Sequence, residues 1–219
     1  MVYMISLADI VLMDQQLIFG IPVTCALKLP GFSTPQFPDP DGVLIKQHPA
    51  EPVVEQRLRY EQNILSVAPQ GFGKLLITSR NTIEITPAVG IEDAHLATFI
   101  LGSAMGSLLH LRQQIPLHGM AFLGRQGAIL MLGESGTGKS TLTAAMLSAR
   151  LPVFTDDVIA LQLSPDNNVL VTPAHRQIKL SPSIVQALGL DHQTFSTTAP
   201  GVSKYSWHVP LEYFCPTAQ

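Results

Sequence analysis

An α/β fold with a mixed sheet and a β-rich N-terminal region is predicted by three features of this 219-residue sequence. Residues 1–87 hold short apolar runs separated by turn-forming residues, which are typical of strands. Residues 91–113 contain no internal proline and have helical spacing, and a strand, a glycine-rich loop and a helix follow them. We therefore expect a β-rich region over residues 1–90 and an α/β core over residues 91–219, packed together as one unit.

Charge is scarce in the chain, and this excludes several classes of protein. Only 13% of the residues are Asp, Glu, Lys or Arg, 46% are apolar, and the formal net charge is −3. A disordered chain would carry more net charge and fewer large apolar residues. With 13 basic and 16 acidic residues the chain has no overall cationic field, so no nucleic acid partner is expected.

A cytoplasmic location is expected from the first residues of the sequence and from its cysteines. Cys25 and Cys215 lie far apart in the sequence without the spacing of a metal site, which favours a reducing compartment. The apolar start, Met1–Leu12, has neither a basic leader nor a small-residue cleavage site, so no secretory signal is predicted.

The N-terminal region is predicted to form a mostly antiparallel sheet. The Arg80–Asn81 step is typical of a hairpin turn in which Asn81 adopts a positive φ. The proline-rich segment 29–42 is expected to be an irregular loop. Four apolar or alternating runs are predicted to be strands: Val43–Gln47, Ile64–Val67, Leu75–Thr78 and Thr82–Thr86.

The segment Ile91–Gln113 is predicted to be a long central helix. Its apolar part, Ala94–Leu111, is about as long as the shortest bilayer spans and contains Gly102-x-x-x-Gly106, a close-packing motif of membrane helices. Histidines near both ends, internal serines and the lack of a Lys/Arg asymmetry favour a buried helix of a soluble domain, so no membrane span is expected. Its apolar residues recur at helical spacing: Leu96, Phe99, Ile100, Leu108 and Leu109.

A phosphate-binding pattern, G-x-x-x-x-G-K-[ST], stands between a predicted strand, Ala128–Leu132, and a predicted helix, Lys139–Arg150. Glycines let backbone N–H groups point at phosphate oxygens, and the start of the helix adds a partial positive charge. Lys139 would contact the β- and γ-phosphates of ATP, and the Ser140 hydroxyl would bind Mg²⁺. The expected cradle consists of Gly133, Glu134, Ser135, Gly136, Thr137, Gly138, Lys139, Ser140 and Thr141.

Two adjacent carboxylates, Asp156 and Asp157, follow a predicted short strand, Val153–Thr155. We expect them at the end of that strand, where open α/β sheets bind ligands. One could bind Mg²⁺ while the other accepts a proton from an attacking hydroxyl, and their mutual repulsion would raise one pKa. The alternative is an Asp-rich turn between two strands. His118, in the strand His118–Leu123, is either a satisfied core histidine or part of the same site.

In its Leu117-His118-Gly119 segment, its GESGTGKS loop and its Asp-Asp pair, the chain resembles the catalytic domain of HPr kinase/phosphorylase and related HPr-kinase-like proteins of peptide-modification clusters, including lasso peptides. The resemblance implies a P-loop kinase core of the HPr kinase and phosphoenolpyruvate carboxykinase-like type. It also implies ATP and Mg²⁺ as cofactors and the serine of a peptide or small protein as phosphate acceptor, with a homo-oligomer possible. His118, Lys139, Asp156 and Asp157 correspond to the catalytic residues, and Ser140 and the Asp pair to the metal-associated ones; we favour Asp157 as the proton acceptor.

The sequence departs from the bifunctional family members at two places. Thr141 and the segment QIKLSPS replace glutamates of those enzymes, so the reverse, phosphorylase reaction and HPr itself as acceptor are not expected. Arg176, just before QIKLSPS, and Lys179 within it are either phosphate-neutralising residues or exposed strand cations.

The leading hypothesis is therefore an ATP-dependent kinase of a serine hydroxyl. The alternatives are a nucleotide-binding regulatory module that does not transfer phosphate, and a small-molecule kinase or NTPase. In the regulatory module the contact surface would be formed by three aromatic residues near the C-terminus: Tyr205, Trp207 and Phe214.

Overall fold

The structure, a computed structural model, describes residues 15–27, 29, 32–33, 41–52, 57–61, 64–69, 71–134, 137–190, 195–197 and 204–215. It is an α/β protein with a mixed sheet and a β-rich N-terminal part, as the sequence predicts. The chain divides into two compact units, Met1–Ala97 and Thr98–Gln219.

The first unit contains an eight-stranded sheet in the order β3-β1-β2-β4-β8-β7-β6-β5. The sheet is mixed because β2 pairs with β4 and β4 with β8 in parallel, whereas the other pairs are antiparallel. Alternate residues of β7 and β8 are buried, as expected of strands with one face toward a core. The strands of this eight-stranded sheet are β1 (Gln15–Ile18), β2 (Ile21–Cys25), β3 (Phe32–Ser33), β4 (Val43–Gln47), β5 (Arg57–Glu61), β6 (Ile64–Ala68), β7 (Gly73–Ser79) and β8 (Thr82–Pro87).

The four strands predicted in this region are confirmed as β4, β6, β7 and β8. The hairpin between β7 and β8 also forms at Arg80–Asn81, but the positive φ predicted for Asn81 is wrong. An irregularity in the pairing between Ile77 and Ser79 accommodates the turn instead. The Asn81 side chain is held by donating a hydrogen bond to the carbonyl oxygen of Gly42, 3.2 Å away.

The predicted central helix forms over Asp93–Leu111, as α1 (Asp93–Phe99), a π-helical turn (Ile100–Ala104) and α2 (Met105–Leu111). Its apolar residues are buried as the spacing predicts, with Leu96, Ile100, Leu108 and Leu109 at most 1% exposed. In the described part of the chain, this is the one helix that is long and apolar enough to span a membrane. Half of its most apolar 18-residue stretch is buried.

The second unit contains two antiparallel sheets, ordered β10-β9-β11-β12 and β13-β15-β14. Phe154 and Ile159 of β11 are fully buried and form an apolar cluster with Ala121, Val171 and Cys215. The elements after α2 are β9 (Ile115–Gly124), β10 (Gly127–Leu132), α3 (Lys139–Ser148), β11 (Val153–Leu163), β12 (Val169–Thr172), β13 (Gln177–Leu180), α4 (Pro182–Ala187), β14 (Phe195–Thr197), β15 (Tyr205–His208) and a 3₁₀ turn (Leu211–Tyr213).

Candidate functional site

Strand β9, which carries His118, brings the glycine-rich loop and the Asp pair to the same sheet. It pairs with β10, which leads into the glycine-rich loop, and with β11, which carries the Asp pair. Within this sheet Gly119 lies opposite both Leu132 and Asp157, and His118 lies opposite Val158. A Cβ atom at Gly119 would lie 2.5 Å from the carbonyl oxygen of Met131, so glycine is required where the three strands approach.

The Asp pair lies in the middle of a strand, which corrects the prediction that it follows a short strand. Strand β11 continues from Val153 to Leu163, and its half-buried central residues are Asp156, Asp157 and Val158. An irregularity in the pairing at the start of β11 and a left-handed Asp157, with φ of 76°, bend the strand here. The Thr155 hydroxyl donates to the carbonyl oxygen of Val158 at 2.5 Å and closes this bend. The carboxylates are therefore presented by a bent strand of an antiparallel sheet.

The glycine-rich loop ends at Gly138, whose φ is 90°, and α3 begins at Lys139. The Lys139 ammonium group donates hydrogen bonds to two carbonyl oxygens of its own loop, those of Gly133 and, at 2.8 Å, Glu134. The Thr137 hydroxyl donates to the same Glu134 oxygen at 2.8 Å. Ser135, Gly136 and the side chain of Ser140 lie outside the described part of the chain.

His118 is not a core histidine, because its side chain is 65% exposed. Its Nδ1 atom lies 3.0 Å from the carbonyl oxygen of Asp157 and 3.3 Å from Oδ1 of the same residue. Its position opposite Val158 on the neighbouring strand explains this contact. His118 can therefore orient Asp157 and remain accessible from solvent.

Lys179 of β13 contacts both carboxylates of the Asp pair. Its backbone N–H donates to Oδ2 of Asp156 at 2.5 Å, and its ammonium group lies 2.6 Å from Oδ2 of Asp157. The Lys179 and Asp157 side chains are only 27% and 26% exposed. Of the two alternatives for Lys179, the exposed strand cation is therefore wrong: the residue forms a half-buried ion pair within the candidate site.

The two carboxylates differ in acidity. Burial raises the pKa of Asp156 to about 6, and the nearby charge of Asp157 adds to this effect. Burial also acts to raise the pKa of Asp157, but the charge and hydrogen bond of Lys179, together with His118, outweigh it and lower that pKa overall. Asp157 is thus the anion of the pair, and Asp156 is the carboxyl that changes protonation near neutral pH.

An open cavity of about 250 Å³ lies between the start of α3 and the Asp pair. Three lysines and one histidine line it, and the first turn of a ten-residue helix faces it, so it suits an anion with several oxygens. The predicted site residues His118, Gly138, Lys139, Thr141, Asp156 and Asp157 all line it, as do Gly119, Met120, Lys179 and Lys204.

A second cavity, of about 10 Å³, has room for roughly one water molecule. It lies behind the Asp pair, and Gly102, Asp157, His175 and Lys179 are among its lining residues. His175 is 7% exposed, and its Nδ1 atom has no hydrogen-bond partner among the described residues. Burial, with the charge of Lys179, lowers the pKa of His175 to about 4, so this histidine is neutral.

The donor atoms of the Asp pair suit Mg²⁺ when a nucleotide supplies further oxygens. Mg²⁺ is commonly held by one or two carboxylates together with substrate phosphates and water. Within the described ranges no group of three or more His, Cys, Asp or Glu residues could hold a metal by itself. Asp156 and Asp157 line the cavity beside Lys139, so the residues present fit a cation that arrives with a phosphate chain.

The Gly102-x-x-x-Gly106 motif allows the central helix to approach β11. A Cβ atom at Gly102 would lie 3.2 Å from Oδ2 of Asp157, whereas one at Gly106 would make ordinary contacts of 3.8 Å with Val158. Alanine favours a helix over glycine by up to about 1 kcal/mol. We expect Gly106→Ala to gain this amount in free energy of unfolding, and Gly102→Ala to gain nothing because it crowds Asp157. Urea unfolding of the two variants checks this, and equal gains would contradict it.

The aromatic contact surface suggested for a regulatory module does not form. Trp207 and Phe214 are 8% and 4% exposed, and Trp207 packs against Tyr213 with ring centroids 6.5 Å apart. Trp207 lies on β15, the central strand of its three-stranded sheet, and Phe214 forms an isolated β-bridge with Val153 at the start of β11.

Two contributors to the site, His175 and Lys204, were missed by sequence reasoning. Alternation along Gln177–Leu180 indicates that Lys179 points away from the apolar Ile178 and Leu180, but it does not reveal the Asp pair as its partner. His175 and Lys204 stand outside regular strands, where no periodic pattern predicts their direction.

No protein-family model matches the chain, and no curated protein matches it either. The function is therefore inferred from the residues of the site and their geometry.

Proposed function

We propose that this protein is an ATP-dependent kinase that transfers the γ-phosphoryl group to a serine hydroxyl of a peptide or small protein. The observation that carries the proposal is a single open cavity lined by Lys139, by the start of α3, by the Asp pair and by His118. Phosphoryl transfer requires mainly positioning and neutralisation of phosphate charge, and this set of residues can supply both. The resemblance to HPr-kinase-like proteins in the motifs that carry these residues supports the same conclusion.

The glycine-rich loop and α3 would bind the phosphate donor. Lys139 would leave the carbonyl oxygens of Gly133 and Glu134 and bind the β- and γ-phosphates, while the N–H groups at the start of α3 bind the remaining oxygens. Ser140 and Asp157 would hold Mg²⁺, which when bound neutralises charge on the phosphate oxygens.

The Asp pair would act on the serine hydroxyl that accepts the phosphoryl group. A new bond forms between the serine oxygen and the γ-phosphorus as the bond to the β-phosphate oxygen breaks, and the serine proton passes to a carboxylate. The lower pKa of Asp157 makes it the weaker base, so we assign proton transfer to Asp156, whose pKa of about 6 suits a base at neutral pH, and not to Asp157, which the sequence favoured. His118 then acts on Asp157, which it contacts through Nδ1.

Incubation of the purified protein with γ-labelled ATP, Mg²⁺ and serine-containing peptides tests the proposal, with peptides encoded beside the gene as the first candidates. We expect label on a peptide serine, located by mass spectrometry. Label found only as inorganic phosphate would indicate an NTPase, and label on a small molecule would indicate a different kinase. Nucleotide binding without any turnover would indicate the regulatory module, and each of these results would contradict the proposal.

A further inference from the structure

Lys179 stands between the two cavities of the second unit. Lys179, Asp156 and Asp157 line both the open cavity and the small cavity behind it. The Lys179 ammonium group lies 2.6 Å from Asp157, and the Lys179 side chain is only 27% exposed. Lys179 therefore forms part of the wall that the two cavities share. Rotation of this one flexible side chain would carry its charge from the carboxylate into the open cavity.

The oxygens of Asp157 are already covered in this arrangement. Oδ1 faces His118 at 3.3 Å, and Oδ2 contacts the Lys179 ammonium group. The helix backbone at Gly102 closes another side of Oδ2, since a Cβ atom there would approach it to 3.2 Å. A divalent cation that approaches Oδ2 of Asp157 from the open cavity therefore meets the Lys179 ammonium group first. The cation and the ammonium group repel each other, because both are positively charged and compete for the same oxygen.

We propose that Lys179 is the resident counter-ion of the Asp pair, and that it exchanges Asp157 for the phosphate chain of the donor when the carboxylates take up a divalent cation. The exchange keeps every charge compensated: before it, the ammonium group neutralises Asp157, and after it, the same group neutralises phosphate. The second half of this inference depends on the proposed function, because it takes a nucleotide as the occupant of the open cavity. Lys179 is thereby a positioning residue for the empty site and a phosphate ligand in the loaded one.

Lys204 provides a matched control for the charge of Lys179. It lines the open cavity but not the small one, and the described ion pairs of the Asp pair involve Lys179 and His118. Removing the Lys204 charge would therefore change the general potential of the cavity while the contact between Lys179 and Asp157 stays in place. A comparison of the two variants separates ion-pair exchange from a general change of charge.

Binding of Mn²⁺, followed by the electron paramagnetic resonance signal of the free ion, tests the first half. We expect Lys179→Gln to raise the affinity for Mn²⁺ by roughly tenfold, the factor that a charge-assisted hydrogen bond supplies at the low end of its range. Lys204→Gln should raise it by no more than about twofold, because the cavity that Lys204 lines is open to solvent, which screens the charge. Lys179→Arg, which keeps the charge, should stay close to the unsubstituted protein. Equal shifts for the two Gln variants, or no shift for Lys179→Gln, would overturn the proposal.

Nuclear magnetic resonance of the unsubstituted protein tests the second half and does not depend on the folding of a Gln variant. Reductive methylation with ¹³C gives each lysine its own signal, and the Lys179→Arg variant identifies that of Lys179. We expect this signal to shift when Mg²⁺ and a non-hydrolysable ATP analogue are added together, and an unchanged signal would overturn the exchange. Neither measurement needs phosphate transfer, so a protein that phosphorylates no acceptor but passes both tests would refute the proposed function alone.

Discussion

Asp156→Asn is expected to abolish phosphate transfer and, at the same time, to make the protein harder to unfold at pH 8. Asparagine cannot accept the serine proton, and loss of a general base lowers the rate by roughly 10²- to 10⁴-fold. The same substitution removes a half-buried charge whose pKa is raised to about 6 by burial. Asparagine still offers an oxygen to the backbone N–H of Lys179, which donates to Asp156 in the structure.

The gain in stability should depend on pH in a defined direction. A carboxyl whose pKa is raised by folding stabilises the folded state fully below its unfolded pKa, near 4, and loses this contribution as the pH rises through about 6. At pH 8 the unsubstituted protein therefore carries a penalty of about 3 kcal/mol that the Asn variant lacks. The advantage of the variant should shrink as the pH falls through 6 and vanish below about 4.

The neighbouring variant, Asp157→Asn, should behave in the opposite way. The pKa of Asp157 is lowered overall, since Lys179 and His118 outweigh the effect of burial, so its charge stabilises the folded state above the unfolded pKa. Urea unfolding of both variants at pH 8 and pH 4, together with the peptide-labelling assay, measures all of these effects. Asp166→Asn, in an exposed turn, serves as the control for loss of one carboxylate. A fully active Asp156→Asn protein, or one less stable at pH 8, would contradict this account.

Lys139→Ala is expected to lower phosphate transfer by at least roughly 10²-fold, the usual cost of removing one donor that stabilises transition-state charge. Its ammonium group contacts only backbone oxygens of its own loop among the described hydrogen bonds, those of Gly133 and Glu134. Because water can replace it there, we expect the free energy of unfolding to change by less than about 1 kcal/mol. Affinity for ATP should also fall, because the phosphates lose a charged partner.

Calorimetric titration with ATP and the labelling assay measure the two effects of Lys139→Ala, and thermal unfolding checks its fold. Lys74→Ala removes an exposed lysine from strand β7 and provides the control. An unchanged affinity and rate in the Lys139 variant would show that the loop does not bind phosphate.

Local patterns predicted the parts of this fold in which neighbours in the sequence are neighbours in space. The hairpin of β9 and β10, the strand before the glycine-rich loop and the helix after it follow from apolar runs and turn residues. The helix Asp93–Leu111 follows from its spacing in the same way. These features place Lys139 at the start of a helix directly after a strand, before any tertiary contact is known.

Contacts between distant segments could not be derived in this way. The continuation of β11 through Asp156 and Asp157 depends on its pairing with β9 about forty residues earlier, and the short strand Val153–Thr155 was predicted because two carboxylates usually end a buried run. The ion pair of Lys179 with Asp157 depends on packing between two sheets. Residue type and spacing indicated several of the side chains that line the cavity, but only tertiary packing determined which carboxylate is neutralised.

The left-handed backbone of Asp157 has a consequence for the evolution of this protein. A non-glycine residue at φ of 76° costs about 1 kcal/mol, and glycine would occupy the position without strain. The ion pair with Lys179 offsets this strain, so a glycine here would relax the backbone but would leave the half-buried Lys179 ammonium group without the carboxylate that it contacts. Loss of Asp157 should therefore be tolerated only together with loss of the Lys179 charge, so under the proposed function these two positions would change as a pair in copies of the gene that no longer transfer phosphate.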